Sequence, residues 1–397
     1  MRFVVISLLL LLFAPVALAI ADYDTLRDLV YRHPQHAAQE LDERLEHQLH
    51  TAEDFGRLSA LLATAYNGLR SRDEALRIVD RALLRLPEVS SQPRAELLMV
   101  RGMVLFDKGE IQQAQRYFNE VIKLAQELNL KPLRTEVLTR VAMINASLDQ
   151  FEQALSHIRQ AHALAAELKD ERLKALVASE MASLYTQMGQ YETALGYYQQ
   201  GYSFSQNKGD PVESMTSLFN LANTLRHLKR FAEAQERYLQ SLAIAREQGL
   251  EEDIAHTMLA LAGINLLQDN PNKAWQWMES IAQLNYGQDD VEYQIEVLLQ
   301  RTEVLLKLGR SQDAVKEMRE TRKLLQRNPT IAALWATDYP RKLEAAVQAA
   351  LGDYQQAYEQ LLAYSDNLQR YYLDRARQHE MRLRVVFDAE RNKANIS

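Results

Sequence analysis

The sequence predicts an all-α solenoid of eight to nine helical hairpins that ends in a long C-terminal helix. Two regularly spaced sets of small residues and a scarcity of turn formers support this prediction. Glycine occurs 13 times and proline 9 times among 397 residues, whereas β-sandwiches and β-barrels need many turns. Cysteine does not occur, which excludes disulfides, cysteine-ligated metals and a cysteine nucleophile.

The most regular feature is an alanine that recurs eight times at steps of 39 to 43 residues, five of the seven steps being 40. Another small residue stands twelve positions before each alanine. Because small side chains let two helix backbones approach closely, each unit is predicted to be a helical hairpin. The recurring alanines are Ala75, Ala114, Ala154, Ala194, Ala234, Ala274, Ala314 and Ala357. The small residues before them are Ala63, Gly102, Ala142, Ala182, Ala222, Ala262, Thr302 and Ala345.

Two further positions complete the unit. A larger residue follows each alanine by four positions, on the same helix face, and is predicted to fill the space between hairpins. These residues are Val79, Phe118, Ile158, Tyr198, Tyr238, Met278, Met318 and Leu361. Residues that tolerate a left-handed backbone stand between the two helices: Gly109, Gly189, Gly309, Gly352, Asp149 and Asp269. Residues 29–45 read as a shorter first hairpin with Ala37 or Ala38 at the alanine position.

This pattern resembles the tetratricopeptide repeat over about residues 21–364, most closely in residues 181–202 and 221–242. There the small residue, the turn before the alanine and the following aromatic stand where the family has them. The family's usual period is 34 residues, and a period near 40 also suits HEAT or armadillo repeats. The twelve-residue spacing and the turn favour the tetratricopeptide interpretation. The resemblance implies a right-handed superhelix that binds proteins or peptides without catalysis.

The concave surface of such a solenoid is lined mainly by the first helix of each hairpin and binds extended peptides or partner helices. The residues predicted to contact this ligand are Met99, Met103, Phe106, Met143, Phe219, Asn223, Arg226 and His227. Methionine suits adaptable apolar recognition, and Asn223 and Arg226, three residues apart, can reach one carboxylate. The alternative is that the methionines are core residues and the polar residues are solvated.

The sequence contains no phosphate-loop, dinucleotide-binding, nucleophile-elbow or zinc-protease motif. His33 and His36 form one close pair and His47 and His50 another, but Pro34 interrupts the first. We interpret both pairs as solvated. The net charge of −7 provides no general attraction for nucleic acid. We therefore expect no catalytic residue, cofactor or metal, and no nucleic-acid partner.

Residues 1–19 have the pattern of a secretory signal peptide. Arg2 precedes an apolar run over residues 3–13, and Ala17 and Ala19 are the small residues of a cleavage site. We predict cleavage after Ala19 and export to a bacterial periplasm, with an uncleaved anchor as the alternative. The predicted domains are thus the signal peptide (1–19), the solenoid (20–364) and a C-terminal capping or signalling helix (365–397).

The C-terminal segment has helical spacing and carries a second resemblance. No glycine or proline follows Gly352, and an apolar stripe runs from Tyr364 to Phe387 at mostly four-residue steps. Its last part resembles the signalling helix of bacterial membrane sensors with tetratricopeptide units, where a membrane span and an output domain follow. That output domain is usually a diguanylate cyclase and sometimes a histidine kinase. The residues that carry this resemblance are Arg384, Phe387, Asp388, Glu390 and Arg391.

This second resemblance implies that the chain is the periplasmic sensor part of a membrane signalling protein. Contact with the membrane would come only through a segment beyond Ser397, and two copies could pair through the C-terminal helix as a coiled coil. A free-standing periplasmic adaptor that holds envelope proteins together is the alternative. The third hypothesis, an enzyme, requires a bound metal or cofactor.

Overall fold

The computed structural model describes residues 23, 25–31, 33–47, 51–208, 211–334 and 339–394. Within these ranges the backbone consists of α-helices joined by short turns, with no strand, so the predicted all-α class is confirmed. Residues 25–31 are helical, and the helices that follow are α1 (Pro34–His47), α2 (Ala52–Gly68), α3 (Arg72–Arg85), α4 (Gln92–Asp107), α5 (Ile111–Glu127), α6 (Lys131–Ser147), α7 (Phe151–Glu167), α8 (Glu171–Gln187), α9 (Tyr191–Lys208), α10 (Pro211–His227), α11 (Phe231–Gln248), α12 (Glu251–Leu267), α13 (Pro271–Ile281), α14 (Val291–Lys307), α15 (Ser311–Arg327), α16 (Pro329–Leu334), α17 (Tyr339–Ala350) and α18 (Tyr354–Ala394).

The predicted repeat register is confirmed by burial. Seven of the eight recurring alanines are 0 % exposed, and the eighth, Ala357, is 8 % exposed. The small residues twelve positions earlier are all buried as well. Helices pack as successive hairpins, for example α4 against α5 and α11 against α10, so the small side chains lie where two backbones approach.

The larger residues four positions after the alanines are buried in seven hairpins and exposed in the last. Leu361 on α18 keeps 49 % of its surface exposed, so its predicted role in filling an inter-hairpin space is wrong in this structure. Within the described residues α18 packs chiefly on α17, and no further hairpin covers this position.

Gly102 shows how tight the contact within a hairpin becomes. A methyl group added at Gly102 would lie 2.6 Å from the ring of Phe118, closer than carbon atoms approach without strain. Phe118 is buried and belongs to the core of its hairpin. Only glycine therefore fits at this position opposite an aromatic ring on α5.

Each of the eight turns before a recurring alanine contains a left-handed residue, five positions ahead of that alanine. The predicted turn residues all have positive φ, between 57° and 85°. Arg70 (φ 60°) and Lys229 (φ 59°) have the same left-handed conformation. The sequence analysis did not predict it, because neither residue type is typical of a left-handed turn position. In all eight turns the next amide donates back to the carbonyl five residues earlier, at 2.8 to 3.0 Å. This bond satisfies a carbonyl at the end of the first helix.

The chain divides into two compact units, residues 1–184 (unit 1) and residues 185–397 (unit 2). In unit 1, residues 25–31 and α1 form the predicted first hairpin, in which Ala37 and Ala38 are both buried. In unit 2, α13 has only 11 residues and is followed by an irregular stretch, residues 282–290. The ring of Tyr293 packs there against His256 and Tyr286 at centroid distances of 5.0 and 5.1 Å.

The last helix is continuous from Tyr354 to Ala394, 41 residues against 12 in α17. The predicted domain boundary at residue 365 lies inside it. At 1.5 Å per residue, α18 is about 40 Å longer than its partner helix. The residues of the proposed signalling motif (384–391) are helical, but their side chains lie outside the described part of the structure.

The predicted signal peptide, residues 1–19, also lies outside the described residues. Among the helices that are described, none combines the length and the apolar character that crossing a bilayer requires.

Candidate functional site

A cavity of about 300 Å³ lies in unit 1 between the first helices of successive hairpins. Its walls come from residues 25–31, α2, α4, α6 and the start of α8. We call it the unit-1 cavity. The lining residues are Tyr23, Arg27, Tyr31, Arg57, Ala60, Leu61, Thr64, Gln92, Glu96, Met99, Val100, Met103, Asn129, Leu130, Pro132, Leu133, Glu136, Arg140 and Arg172.

Part of the lining is apolar. Met99 and Val100 on α4 and Leu61 on α2 are buried. Met103 and Leu133 are partly buried and pack against the neighbouring core. These side chains form a surface that can accept an apolar side chain of a ligand, and methionine adapts readily to different shapes.

The N-terminal end of the cavity holds a linked set of polar groups. The guanidinium of Arg57 lies 3.8 Å from the centre of the Tyr23 ring, and its Nε lies 3.8 Å from Glu96 Oε2. The hydroxyl of Tyr23 donates to Glu96 Oε2 at 3.3 Å, and Gln92 Nε2 donates to Glu96 Oε1 at 2.8 Å. Even so, burial raises the pKa of Glu96 above its ordinary value, because removal from water disfavours the charged carboxylate.

The opposite end of the cavity is dominated by arginine. Arg172 Nη1 donates to Glu136 Oε1 at 3.2 Å, and the Arg172 guanidinium lies 6.0 Å from the centre of the Tyr31 ring. Tyr31 exposes 51 % of its surface, and desolvation in its concave surroundings raises its pKa. The electrostatic influence of Glu136, Arg172 and Arg140 reaches its hydroxyl, so these groups share one end of the site.

Arg140 differs from the other arginines of the cavity. No carboxylate of the described residues lies within ion-pair distance of it, and Arg140 Nη1 makes only a long contact of 3.8 Å to Met143 Sδ. Its charge acts on Glu180, but burial outweighs that influence and raises the pKa of Glu180. The positive charge of Arg140 is therefore the least compensated in the cavity.

The four predicted ligand-binding residues of unit 1 are only partly brought together. Met99 and Met103 line the cavity, whereas Phe106 packs partly buried against the core and Met143 contacts Arg140 beside it. Met99, at 4 % exposure, belongs to the core as well as to the lining.

The four predicted residues of unit 2 contact other residues of that unit, although Arg226 and His227 are exposed. Asn223 Oδ1 accepts a hydrogen bond of 2.7 Å from the hydroxyl of Tyr238, and Phe219 packs edge-on against the same ring at 5.4 Å. Arg226 lies beside that hydroxyl, and burial raises the pKa of Tyr238 to about 12. His227 stacks on Tyr191 at 4.6 Å, and desolvation lowers its pKa.

None of the six charged residues of the unit-1 cavity was predicted from the sequence. Two signals could have found them. Tyr23, Arg27 and Tyr31 are spaced by four residues and so lie on one helix face. Glu96 and Glu136 are one repeat of 40 residues apart.

In the described residues no group of three or more histidines, aspartates or glutamates is arranged to hold a metal ion.

The comparisons with known families identify the repeats. Residues 133–207 and 213–284 match one family model of the tetratricopeptide repeat, and residues 95–128 match another. The chain contains tetratricopeptide repeats. The matched residues include α6 and most of α4, which line the unit-1 cavity. Such a chain is a protein-interaction module.

Among curated proteins, none matches this chain in sequence. Several solved structures share its tetratricopeptide fold. A Rap protein in complex with competence and sporulation factor has a TM-score of 0.62 at 15 % identity, over 92 % of this chain and 99 % of that one. Aspartyl phosphate phosphatase F from Bacillus subtilis has a TM-score of 0.58 at 15 % identity, over 87 % and 92 %.

A signal transduction ATPase with numerous domains from Pyrococcus horikoshii, which has a tetratricopeptide repeat sensor, has a TM-score of 0.59 at 14 % identity. The alignment covers 88 % of this chain and 54 % of that protein. At such low identities the likeness shows the shared fold and no shared ligand.

Proposed function

We propose that this chain binds an extended peptide, or an extended segment of a partner protein, in the unit-1 cavity and catalyses no reaction on it. The observation that carries the proposal is the cavity itself, which the first helices of successive hairpins enclose. Its apolar lining and its charged ends offer contacts for both the side chains and the charges of a peptide.

The competing position, the face of α10 in unit 2, is less suited to this role. Asn223 and Phe219 already contact Tyr238, and His227 already stacks on Tyr191. A ligand that used these side chains would first have to displace contacts within the protein. The unit-1 cavity requires no such displacement at Arg140.

A variant that fills the cavity tests the proposal. Thr64 on α2 is half-buried and lines the cavity, and we expect Thr64→Trp to abolish the capture of partner proteins by the immobilised chain. Leu84 on α3 is 88 % exposed, so Leu84→Trp is the matched control. The immobilised Leu84→Trp chain should still capture the partner proteins. Circular dichroism checks that both variants are folded. Equal capture by both variants would reject the cavity as the binding site.

We propose further that the chain is exported and acts in the periplasm. The support is the pattern of residues 1–19, namely Arg2, the apolar run and the small residues before position 20. Residues 1–25 fused to a β-lactamase without its own leader should confer ampicillin resistance, and the mature chain should begin at Ile20. A fusion with Leu9→Arg and Leu10→Arg is the control and should confer none. Resistance from both fusions would contradict export by this segment.

Within the periplasm we propose a sensor role, in which α18 connects ligand binding to a membrane span and an output domain outside this sequence. The support is the length of α18 and the motif at residues 384–391. Two copies would pair through this helix. Deletion of residues 382–397 should leave folding and peptide binding intact and abolish both pairing and signalling. Normal signalling by the truncated chain would instead favour a free-standing adaptor, which needs only the binding surface.

A further inference from the structure

The unit-1 cavity has a charge opposite to that of the whole chain. The chain carries a net charge of −7, yet the cavity is lined by four arginines and only two glutamates. A concave wall of low dielectric constant concentrates the field of such charges toward its opening. An anionic ligand is therefore attracted to this site although the protein as a whole repels it.

The two glutamates compensate only part of this positive charge. Glu96 pairs with Arg57 at 3.8 Å, and Glu136 pairs with Arg172 at 3.2 Å. Arg140 has no ion-pair partner among the described residues. The charge of Arg140 acts on Glu180, but that carboxylate does not lie within ion-pair distance and burial raises its pKa. The positive charge on this half-buried side chain is thus compensated less than that of Arg57 or Arg172.

Unmet hydrogen bonds occur in the same arginines. The Nε atoms of Arg57, Arg140 and Arg172 are shielded from water and have no hydrogen-bond acceptor among the described residues. A guanidinium is a planar fork of N–H groups that matches the two oxygens of a carboxylate. Because the Nε atoms are themselves shielded, an entering carboxylate would pair with the terminal Nη groups of Arg140, of which Nη1 makes only the long contact of 3.8 Å to Met143 Sδ.

We propose that the unit-1 cavity recognises an acidic peptide, in which an aspartate or glutamate side chain pairs with Arg140 and a neighbouring apolar side chain packs on Met103 and Leu133. This inference rests on the proposed function and names the ligand class for it. Tyr31 lies at the same end of the cavity and provides an aromatic wall beside the carboxylate. The recognised group is an internal side chain, so a free C-terminus of the peptide is not required.

The experiment is a selection of random nine-residue peptides displayed within a longer chain, so that no peptide offers a free C-terminal carboxylate. The full chain and two variants serve as baits. Arg140→Gln removes the charge in the cavity. Arg81→Gln removes the same charge from an exposed position on α3 and is the matched control. Selected peptides are then synthesised with both ends capped, and their dissociation constants are measured by fluorescence anisotropy at pH 7.

We expect the full chain and Arg81→Gln to select peptides enriched in aspartate or glutamate beside an apolar residue. Replacement of that acidic residue by its amide, or Arg140→Gln, should weaken binding by about tenfold or more. Arg140→Lys should restore part of the affinity, since it keeps the charge and loses the fork. Once Arg140 is replaced by glutamine, the amide and acid forms of the peptide should bind alike.

The outcomes separate this inference from the proposed function. Peptides that compete for the cavity but show no acidic enrichment, or an enrichment that survives Arg140→Gln, would overturn the acidic-peptide inference and leave peptide binding standing. If no selected peptide is blocked by Thr64→Trp, the proposed function itself fails. A single-stranded oligonucleotide that binds as tightly as the acidic peptide would show a general polyanion site and would also overturn the inference.

Discussion

The same repeat position has opposite roles in the two units. Met103 on α4 and Asn223 on α10 are three 40-residue steps apart in the sequence. Met103 lines the unit-1 cavity, whereas Asn223 holds the hydroxyl of Tyr238 at 2.7 Å. The register of a repeat therefore places a side chain on the first-helix face and does not decide whether a ligand can reach it.

The residue on the second helix explains the difference. Phe118 in unit 1 has no polar atom, and its ring packs against the backbone of Gly102. Tyr238 in unit 2 is 0 % exposed and carries a hydroxyl, which needs a hydrogen-bond partner when it is buried. Asn223 supplies that partner. A buried tyrosine at this position thus draws a polar side chain into the protein, and a phenylalanine does not.

The largest stability effect is expected where unit 1 is tightest. Gly102→Ala should lower the free energy of unfolding by about 1–3 kcal/mol, because the new methyl group would lie 2.6 Å from the Phe118 ring. At Gly196 on α9 in unit 2, an added methyl group would meet no neighbouring side chain within 4 Å. Gly196→Ala should therefore raise the free energy by about 0.5–1 kcal/mol through its better helix propensity. Urea denaturation of both variants measures these changes.

The critical observation is whether Gly102→Ala lowers the free energy of unfolding while Gly196→Ala raises it. Phe118→Val should remove most of the additional cost of Gly102→Ala, because it removes the ring that the methyl group meets. If Gly102→Ala destabilises equally with and without Phe118, the close approach is not the cause. If both glycine variants are stabilising, unit 1 is less tightly packed at Gly102 than the structure indicates.

The next prediction concerns Asn223 and Tyr238. Asn223→Ala leaves a buried hydroxyl without its acceptor and should lower the free energy of unfolding by about 1–3 kcal/mol. In a Tyr238→Phe background the same substitution should cost much less, since no hydroxyl remains to be satisfied. A thermodynamic double-mutant cycle measures the coupling. An equal cost in both backgrounds would show that Asn223 acts independently of Tyr238.

The contrast also shows what sequence reasoning can and cannot predict here. The hairpins, their buried alanines and most of their turns follow from a local pattern that recurs eight times along the chain. The cavity does not, because Arg57, Glu96 and Arg172 meet only after residues from different hairpins are placed side by side. The hydrogen bond of Asn223 with Tyr238, fifteen residues away on another helix, depends likewise on how the helices pack. Arg70 escaped prediction because its turn conformation is imposed by its position and not by its residue type.

The next prediction concerns the affinity of the unit-1 cavity for an acidic peptide, which should depend on the charge balance of the cavity. Glu96→Gln removes a carboxylate that pairs with Arg57, so the net positive charge of the cavity increases. The affinity for the selected acidic peptide should rise about fivefold at pH 7, equivalent to roughly 1 kcal/mol. Glu359 on α18 is not part of the cavity lining, and Glu359→Gln is the matched control, for which we expect no change. Unchanged affinity after Glu96→Gln would show that Glu96 does not oppose the ligand.

The pH dependence of stability provides an independent check on Glu96. Its pKa is raised in the folded protein by burial, above the ordinary value of 4.5. The folded state therefore takes up this proton at a higher pH than the unfolded state, and stability from Glu96 increases as the pH falls through the raised pKa. The stability of the wild type relative to Glu96→Gln should thus increase as the pH falls from neutral toward the ordinary value of 4.5. A constant difference would contradict the raised pKa.

The smallest effects are expected at the turns, where several residues other than glycine have a left-handed backbone. Arg70 in unit 1 and Lys229 in unit 2 have φ values of 60° and 59°, which cost a residue with a β-carbon about 1–2 kcal/mol. Glycine removes this cost but gains entropy in the unfolded chain. Arg70→Gly and Lys229→Gly should therefore each raise the free energy of unfolding by only about 0.5–1 kcal/mol, in thermal or urea denaturation.

Gly309 occupies the same turn position with φ 71°, and a methyl group added there would meet no neighbouring atom within 4 Å. Gly309→Ala tests the backbone conformation without a steric clash and should lower the free energy of unfolding by about 1 kcal/mol. Equal gains at Arg70 and Lys229 would show that the turn geometry contributes equally in both units, although their first-helix faces differ. A loss at either position would mean that the replaced side chain makes a stabilising contact larger than the conformational cost.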